Sequence, residues 1–223
     1  MRGTKVFAQA RGHGTAPRVQ HPGWDELATD LLAVADTHEA TQALGVSLGA
    51  GTLLRLLSRH PDRFDRVVLF LPASLDAPQP GPVRRAAELV AALTSGDPHA
   101  VEQVVRQELP ADLAGDGVEA YVAARTSYLL ASDLAPLVLA LEGDVPVPDR
   151  RVLQDVRAEV LVIAQEQDPV HPVEVARQVV AAVPGARLEV FPEPGILFRP
   201  AARARLRELV VAHLAAPTGS IPT

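Results

Sequence analysis

The chain has 223 residues but no cysteine, only one lysine and few aromatic residues. The absence of cysteine excludes disulfides, a thiolate nucleophile and cysteine-bound metals. No apolar run approaches the length that spans a membrane, and the first residues carry no signal-like apolar stretch. The formal net charge of -6 and the lack of a basic helix face argue against nucleic-acid binding. We therefore expect a cytoplasmic protein whose partner is a small molecule, with no nucleic-acid or membrane partner.

A serine flanked by glycines is the main candidate for chemistry. The segment G-V-S-L-G at residues 45–49 matches the G-x-S-x-G pattern, with apolar residues before it and a long apolar helical stretch after it. Strand, tight turn and helix in this order form a nucleophile elbow, and the glycines let the backbone turn sharply. Small residues also occur at such turns for packing alone, but the flanking pattern favours an elbow with Ser47 at its tip.

The apolar patterning predicts the α/β class, with an open, mostly parallel sheet of about five strands flanked by helices. Short apolar runs of strand length lie at residues 5–9, 42–46, 66–71, 159–164 and 187–191. Apolar residues recur at helical spacing around 24–34, 173–183 and 202–210. The alternation of strand and helix indicates a parallel sheet.

This alternation stops between residues 75 and 156, where four helical segments lie between proline-rich joints. The block indicates a helical cap at 75–156, inserted between two strands of one core. That core comprises residues 1–74 and 157–214. Residues 215–223 contain two prolines and are expected to form a flexible tail.

Three segments together resemble the α/β-hydrolase superfamily, over about residues 5–214. The R-G-H-G turn at 11–14, the elbow at 45–49 and the D-P-V-H-P turn at 168–172 are each similar to a superfamily motif at its expected place. The resemblance implies that Ser47 is the nucleophile, that Asp168 is the acidic member of a catalytic triad, and that the Leu48 N–H helps to form an oxyanion hole. It implies hydrolysis of a small carboxylic ester, thioester or lactone, without a cofactor or a metal.

The base of this triad is the main departure from the superfamily pattern. There a histidine follows the last strand in a turn similar to P-G-x-G-H, but this chain has P-E-P-G-I at 192–196, so Ile196 takes the base position. His171, three residues after Asp168, is the only nearby candidate base. The alternative is that His171 starts a helix or packs, and we expect its ring to stay out of reach of Ser47. If the turn keeps the superfamily geometry, Ile196 should lie beside Ser47 and Asp168.

Other polar residues have less specific interpretations. Asp168 could also be a simple Asp-Pro turn former, and Asp76 is an alternative acid. His13 is expected to stabilise its own turn. No histidine shows the spacing of a metal site. The remaining histidines are expected on the surface or in loops: His21, His38, His60, His99 and His213.

The start of the sequence bears on activity and assembly. The resemblance implies earlier strands, one of which ends in an H-G loop that supplies a second oxyanion N–H. The sequence begins at the strand that follows, so we expect that donor to be missing and a sheet edge to be unpaired. Because an exposed edge invites pairing, we expect a homodimer or poor solubility. Two functions stay open: a serine hydrolase, or a catalytically impaired pseudoenzyme or ligand-binding protein on the same fold.

Overall fold

The computed structural model describes residues 4–16 and 23–215, and within them four parallel strands form one open sheet. The strands lie side by side in chain order: β1 (Gln42–Val46), β2 (Arg66–Phe70), β3 (Glu159–Gln165) and β4 (Arg187–Phe191). The α-helices in the same ranges are α1 (Trp24–Thr37), α2 (Leu48–Arg59), α3 (Pro80–Ser95), α4 (Pro98–Arg106), α5 (Asp116–Ala131), α6 (Ala135–Ala140), α7 (Val173–Ala182) and α8 (Pro200–Ala215), with a 3-10 helix at Arg150–Asp155. The architecture confirms the predicted α/β class with an open parallel sheet.

The sheet is covered on both faces. Alternate residues of a strand point to opposite sides. Val67 and Leu69 join the hydrophobic cluster formed with α2 and α7, whereas Val68 and Phe70 join the cluster beneath α8. All five residues of β2 are buried. A strand covered on both faces reads as a continuous apolar run, which is why the sequence predicts this strand.

The four helices α3 to α6 lie between β2 and β3 in the chain, as the sequence predicts. Their buried residues form a separate cluster that also includes Trp24 and Leu27 of α1. The inserted helices therefore pack against α1 as well as against each other. No helix within the described ranges is both long and apolar enough to cross a membrane. The flexible tail predicted after α8 lies, beyond Ala215, outside the described residues.

The predicted strand at residues 5–9 is not formed, so the prediction of a fifth strand is wrong: residues 4–10 have no regular secondary structure. Phe7 is 89% exposed. A strand needs a neighbour that satisfies its backbone groups, and no strand in the described ranges pairs with this segment. The turn that follows is anchored to the helices. Arg11 forms an ion pair with Asp30, and the Asp133 N–H donates to the Gly12 carbonyl at 3.2 Å.

β1 forms one edge of the sheet in the part of the chain that the structure describes. Its apolar side chains Leu44 and Val46 are each 45% exposed. Their partners across the strand pair, Val68 and Phe70, are buried in the cluster beneath α8. Helix α8 therefore covers the middle of this face and leaves the apolar side of β1 uncovered.

Candidate active site

Ser47 lies between the end of β1 and the start of α2, in a strained backbone conformation. Its φ and ψ are 51° and -108°, a combination that residues with a side chain rarely adopt. Its N–H donates to the Phe70 carbonyl of the neighbouring strand at 2.9 Å, which holds the turn against the sheet. The strand–turn–helix geometry that the G-x-S-x-G pattern predicts is therefore present.

The two glycines that flank Ser47 have different roles. A Cβ on Gly45 would lie 2.3 Å from the Gly49 carbonyl oxygen, far inside van der Waals contact. A Cβ on Gly49 would meet nothing within 4 Å. The sequence-based interpretation gave both glycines the same purpose, but only Gly45 lets the strand and the helix approach this closely.

Three of the predicted site residues converge at the elbow. The Nε2 atom of His171 lies 2.9 Å from Ser47 Oγ, and its Nδ1 atom lies 3.0 Å from Asp168 Oδ2. The expectation that the His171 ring would stay out of reach of Ser47 is therefore wrong. Ser47 has an imidazole from its own chain within hydrogen-bond distance.

The tight turn after β3 explains why His171 reaches the site. The Oδ1 atom of Asp168 accepts hydrogen bonds from the backbone N–H groups of Val170 and His171, each at 2.9 Å. These bonds curl the chain back around the carboxylate, as Asp side chains do in turns. The side chain at position 171 thereby returns beside the Asp168 carboxylate and faces the elbow, although α7 begins only two residues later.

The electrostatics of the pair favour an ionised Asp168 carboxylate. Burial opposes ionisation of Asp168, but its hydrogen bonds with His171 and Gln165 and the attraction of the His171 ring outweigh burial and lower the pKa of Asp168 to about 2. The carboxylate is therefore ionised at neutral pH and accepts the Nδ1–H of His171. Nε2 is then left to accept the Ser47 hydroxyl proton. Both side chains are largely shielded from water.

Ile196 does not stand in place of a missing base, because His171 occupies the position beside Ser47. The Ile196 side chain is 1% exposed and belongs to the hydrophobic cluster beneath α8, with Ile163 and Phe191 among its members. Its backbone N–H donates to the Gln165 side chain at 3.2 Å. The turn at 192–196 therefore contributes to the site through its backbone.

Gln165 is a site residue that the sequence analysis missed. Its side-chain Nε2 donates to Asp168 Oδ2 at 2.6 Å, and its Oε1 accepts from the N–H groups of Gly195 and Ile196. A signal was present, because a polar side chain at the carboxyl end of a buried parallel strand lies where open α/β sheets place their ligands.

The remaining polar candidates are engaged elsewhere. His13 makes a 3.2 Å contact through Nδ1 with the Arg11 carbonyl, within its own turn as predicted. Asp76, the alternative acid, forms an ion pair with Arg150. In the described ranges, no group of three or more histidine, aspartate or glutamate side chains could hold a metal ion.

His213 is buried, so its predicted place on the surface is wrong. Its Nε2 donates to the carbonyls of Val67 and Glu159, each at 3.1 Å, and its Nδ1 accepts from Arg187. Burial and then repulsion by Arg187 lower the pKa of His213. The ring lines a cavity of about 230 Å³ between α8 and the sheet, which none of the three converging residues lines. His21 lies outside the described residues.

Leu48, the predicted oxyanion donor, lies at the start of α2. It is the first residue of α2, and the first N–H groups of a helix have no partner within that helix. They also lie at the positive end of the helix dipole. The Leu48 N–H therefore stays the predicted donor to an oxyanion that forms next to Ser47.

The comparisons with known proteins agree with this fold. An esterase from Exiguobacterium antarcticum is 20% identical with a TM-score of 0.75, covering 93% of this chain and 80% of its own. A hydrolase from Pseudomonas aeruginosa PA01 is 25% identical with a TM-score of 0.69, covering 93% and 78%. An enol-lactonase from Burkholderia xenovorans LB400 is 23% identical with a TM-score of 0.74, covering 93% and 79%. A search of the curated proteins returns no match.

The parallel sheet with a serine elbow at the end of β1 identifies the class as the α/β-hydrolase superfamily. The profile of one family, described as serine aminopeptidase, S33, matches residues 1–114, just over half of the chain. The chain belongs to this family.

Proposed function

We propose that this protein is a serine hydrolase that cleaves a small carboxylic ester, thioester or lactone. The hydrogen-bonded series from Ser47 Oγ through His171 to Asp168 carries the proposal. An alcohol is a weak nucleophile until an adjacent base takes its proton, and Nε2 of His171 is within reach to do so. The names of two proteins with a similar fold, an esterase and an enol-lactonase, support acyl transfer to water as the reaction class.

The first half of the reaction follows from the site geometry. Ser47 Oγ attacks the carbonyl carbon while its proton passes to Nε2 of His171. The ionised Asp168 carboxylate stabilises the resulting imidazolium and keeps the ring oriented towards Ser47. The tetrahedral oxyanion faces the Leu48 N–H. The imidazolium then gives its proton to the leaving alcohol or thiol, which departs, and an acyl-serine remains.

The second half repeats these steps with water. His171 takes a proton from a water molecule, whose oxygen attacks the acyl carbon. The tetrahedral intermediate collapses, the proton returns to Ser47 Oγ, and the carboxylic acid leaves. With a lactone, the alcohol formed in the first half stays attached to the acyl group, so both halves yield one hydroxy acid.

The inserted helices supply the proposed cap over this site. The first turn of α3 lies against the turn that carries the acid and the base, since a Cβ on Gly81 would be 1.9 Å from the Pro169 carbonyl oxygen. A cap anchored there would bound the space above Ser47. We infer that α3 to α6 select the acyl or alcohol group of the substrate.

The second candidate is a pseudoenzyme or a ligand-binding protein on the same fold. One observation favours it: within the described ranges, Leu48 is the one backbone oxyanion donor that we assign at the elbow. Loss of one such donor typically lowers kcat about 10²–10³-fold. A protein with this site could therefore bind an acyl compound with little turnover.

The test is hydrolysis of a short p-nitrophenyl ester and a simple lactone, with formation of the acyl-serine followed by mass spectrometry. We expect turnover in the wild type and a loss of about 10⁶-fold in kcat in Ser47→Ala, as for other triad nucleophiles. The control is Ser127→Ala on α5, where the serine is exposed. A wild type that binds these compounds but forms no acyl-serine would favour the binding protein.

A further inference from the structure

We propose that Gln165 is a positioning residue of the hydrolytic site, which holds the Asp168 carboxylate in the orientation that His171 requires. The inference rests on the proposed function. It concerns a residue outside the triad that makes no contact with the reacting atoms, and it gives the turn at 192–196 a role in the site.

The two carboxylate oxygens of Asp168 have different hydrogen-bond donors. Among the described residues, the Oδ1 atom of Asp168 accepts from its own turn alone, at Val170 and His171. The Oδ2 atom, which faces the His171 ring at 3.0 Å, also accepts from Nε2 of Gln165 at 2.6 Å. Within the part of the chain that the structure describes, Gln165 is the one residue outside the turn that donates a hydrogen bond to this carboxylate. It binds the same oxygen that orients the base.

The second observation is the anchor at the other end of the amide. Its Oε1 atom accepts from the N–H groups of Gly195 and Ile196, at 3.0 Å and 3.2 Å. Both residues are buried, so their N–H groups have few alternatives to this acceptor. Two donors on one side and a carboxylate on the other require the amide oxygen and nitrogen to point as they do. The amide orientation is therefore fixed by its partners.

The mechanical consequence is a connection between two loops. The turn after β4 donates two hydrogen bonds to the Gln165 amide. The amide in turn donates to Oδ2 of Asp168, and Oδ2 accepts from Nδ1 of His171. Without the amide, the bonds at Oδ1 still tether one side of the carboxylate, but Oδ2 is held by the imidazole alone. The carboxylate and the ring can then tilt together, and Nε2 loses its alignment with Ser47 Oγ. The turn at 192–196 thus supports the acid through two backbone donors.

The test compares Gln165→Met, which keeps the length of the side chain but removes both hydrogen-bonding groups, with Gln103→Met, at an exposed position of α4, as the matched control. Ester hydrolysis gives kcat and KM, thermal unfolding gives the folded fraction, and proton NMR reports the downfield Nδ1–H of His171. We expect kcat to fall about tenfold in Gln165→Met, with KM within about twofold and the Nδ1–H resonance shifted or broadened. Gln103→Met should match the wild type in all three.

A second variant, Gln165→Glu, keeps the test decisive if the methionine variant folds poorly. It retains an acceptor for Gly195 and Ile196 but sets a carboxylate oxygen against Asp168. Two adjacent carboxylates share a proton at low pH and repel each other once both are ionised. We therefore expect kcat, relative to the wild type at each pH, to fall as the pH rises. If Gln165 only stabilised the fold through its two bonds to the backbone, the ratio of variant to wild-type kcat would not change with pH.

Failure of the positioning role can be distinguished from failure of the proposed function. Hydrolysis that survives Ser47→Ala overturns the proposed function. Wild-type kcat in both Gln165 variants, with Ser47→Ala inactive, overturns the positioning role and leaves the hydrolase proposal intact. A fall in kcat that only follows the folded fraction, with an unchanged Nδ1–H resonance, shows that Gln165 merely stabilises the fold and also overturns the positioning role.

Discussion

The Nδ1 atom of His171 lies 3.0 Å from Oδ2 of Asp168, three residues earlier in the same turn. The acid and the base of the proposed triad therefore come from one loop, and two backbone hydrogen bonds to Oδ1 shape that loop. The relative position of acid and base is thus set locally, and Ser47 alone is brought from a distant part of the chain. The turn after β4 contacts Asp168 indirectly, through its hydrogen bonds to Gln165.

The first prediction concerns Ile196→His. The Ile196 side chain is buried in the cluster beneath α8, so an imidazole there would lose its water without gaining a partner. We expect the free energy of unfolding to fall by at least about 2 kcal/mol, with no gain in ester hydrolysis. Ile196→Val, which keeps the site apolar, is the control. A rise in kcat that also required Asp168 would contradict this expectation and show that the side chain at position 196 reaches Ser47.

The second prediction separates the two glycines of the elbow. Gly45→Ala puts a Cβ against the Gly49 carbonyl, and we expect it to lower the free energy of unfolding by at least about 3 kcal/mol. Gly49→Ala has open space and lies in α2, so it should be neutral or stabilising by up to about 1 kcal/mol. Denaturant unfolding measures both. Equal effects at the two positions would contradict the elbow geometry.

The third prediction is a pH dependence of stability that arises from Asp168. Its pKa is about 2 in the folded protein, below the ordinary value of 3.8. An acid whose pKa is lowered by folding stabilises the protein above its ordinary pKa, and this stabilisation is lost as the pH falls towards the folded value. We expect the stability difference between wild type and Asp168→Asn to shrink by about 2 kcal/mol from pH 6 to pH 2. Asp62→Asn, at an exposed position, is the control. A stability difference that stays constant from pH 6 to pH 2 would contradict the lowered pKa of Asp168.

The fourth prediction is self-association through the β1 edge. The strand contains no charged residue and no proline, and Leu44 and Val46 are half exposed, so nothing in β1 opposes pairing. We propose that two copies pair antiparallel along β1 around a twofold axis. Sedimentation velocity should show a dimer that Leu44→Lys converts to a monomer. Leu139→Lys, which changes the same residue type at an exposed position on α6, should leave the dimer intact. A wild type that stays monomeric at high concentration would exclude this pairing.

The sequence was informative where a local pattern determines the structure. The buried strands β2 and β3 are continuous apolar runs because both faces are covered, and Ser47 is marked by its glycines and by the apolar segments beside it. The four inserted helices were also recognisable from their periodicity. In each case the residues that define the element are neighbours in the chain.

The sequence failed where a distant contact decides the outcome. Residues 5–9 have strand-like composition, but no strand in the described ranges pairs with them, so they form no regular structure and are exposed. His213 lies in a helix whose sequence suggests exposure, but its ring is buried and donates a hydrogen bond to the carbonyls of Val67 and Glu159 in two strands. The approach of His171 to Ser47 joins residues 124 apart in the chain, and no spacing rule reports it. The position of Gln165 at the carboxyl end of β3 was a signal for a site residue, but its partners on two loops could not be read from the sequence.

The central claim is that His171 is the base that activates Ser47, and the rate at which a fluorophosphonate labels Ser47 tests it directly. The probe needs an activated serine but no knowledge of the substrate. We expect rapid labelling of the wild type, none of Ser47→Ala, and labelling about 10²–10⁴-fold slower in His171→Gln, because general-base assistance is worth about that much. His60→Gln, at an exposed position, should be labelled at the wild-type rate. Labelling of His171→Gln as fast as the wild type would contradict the account.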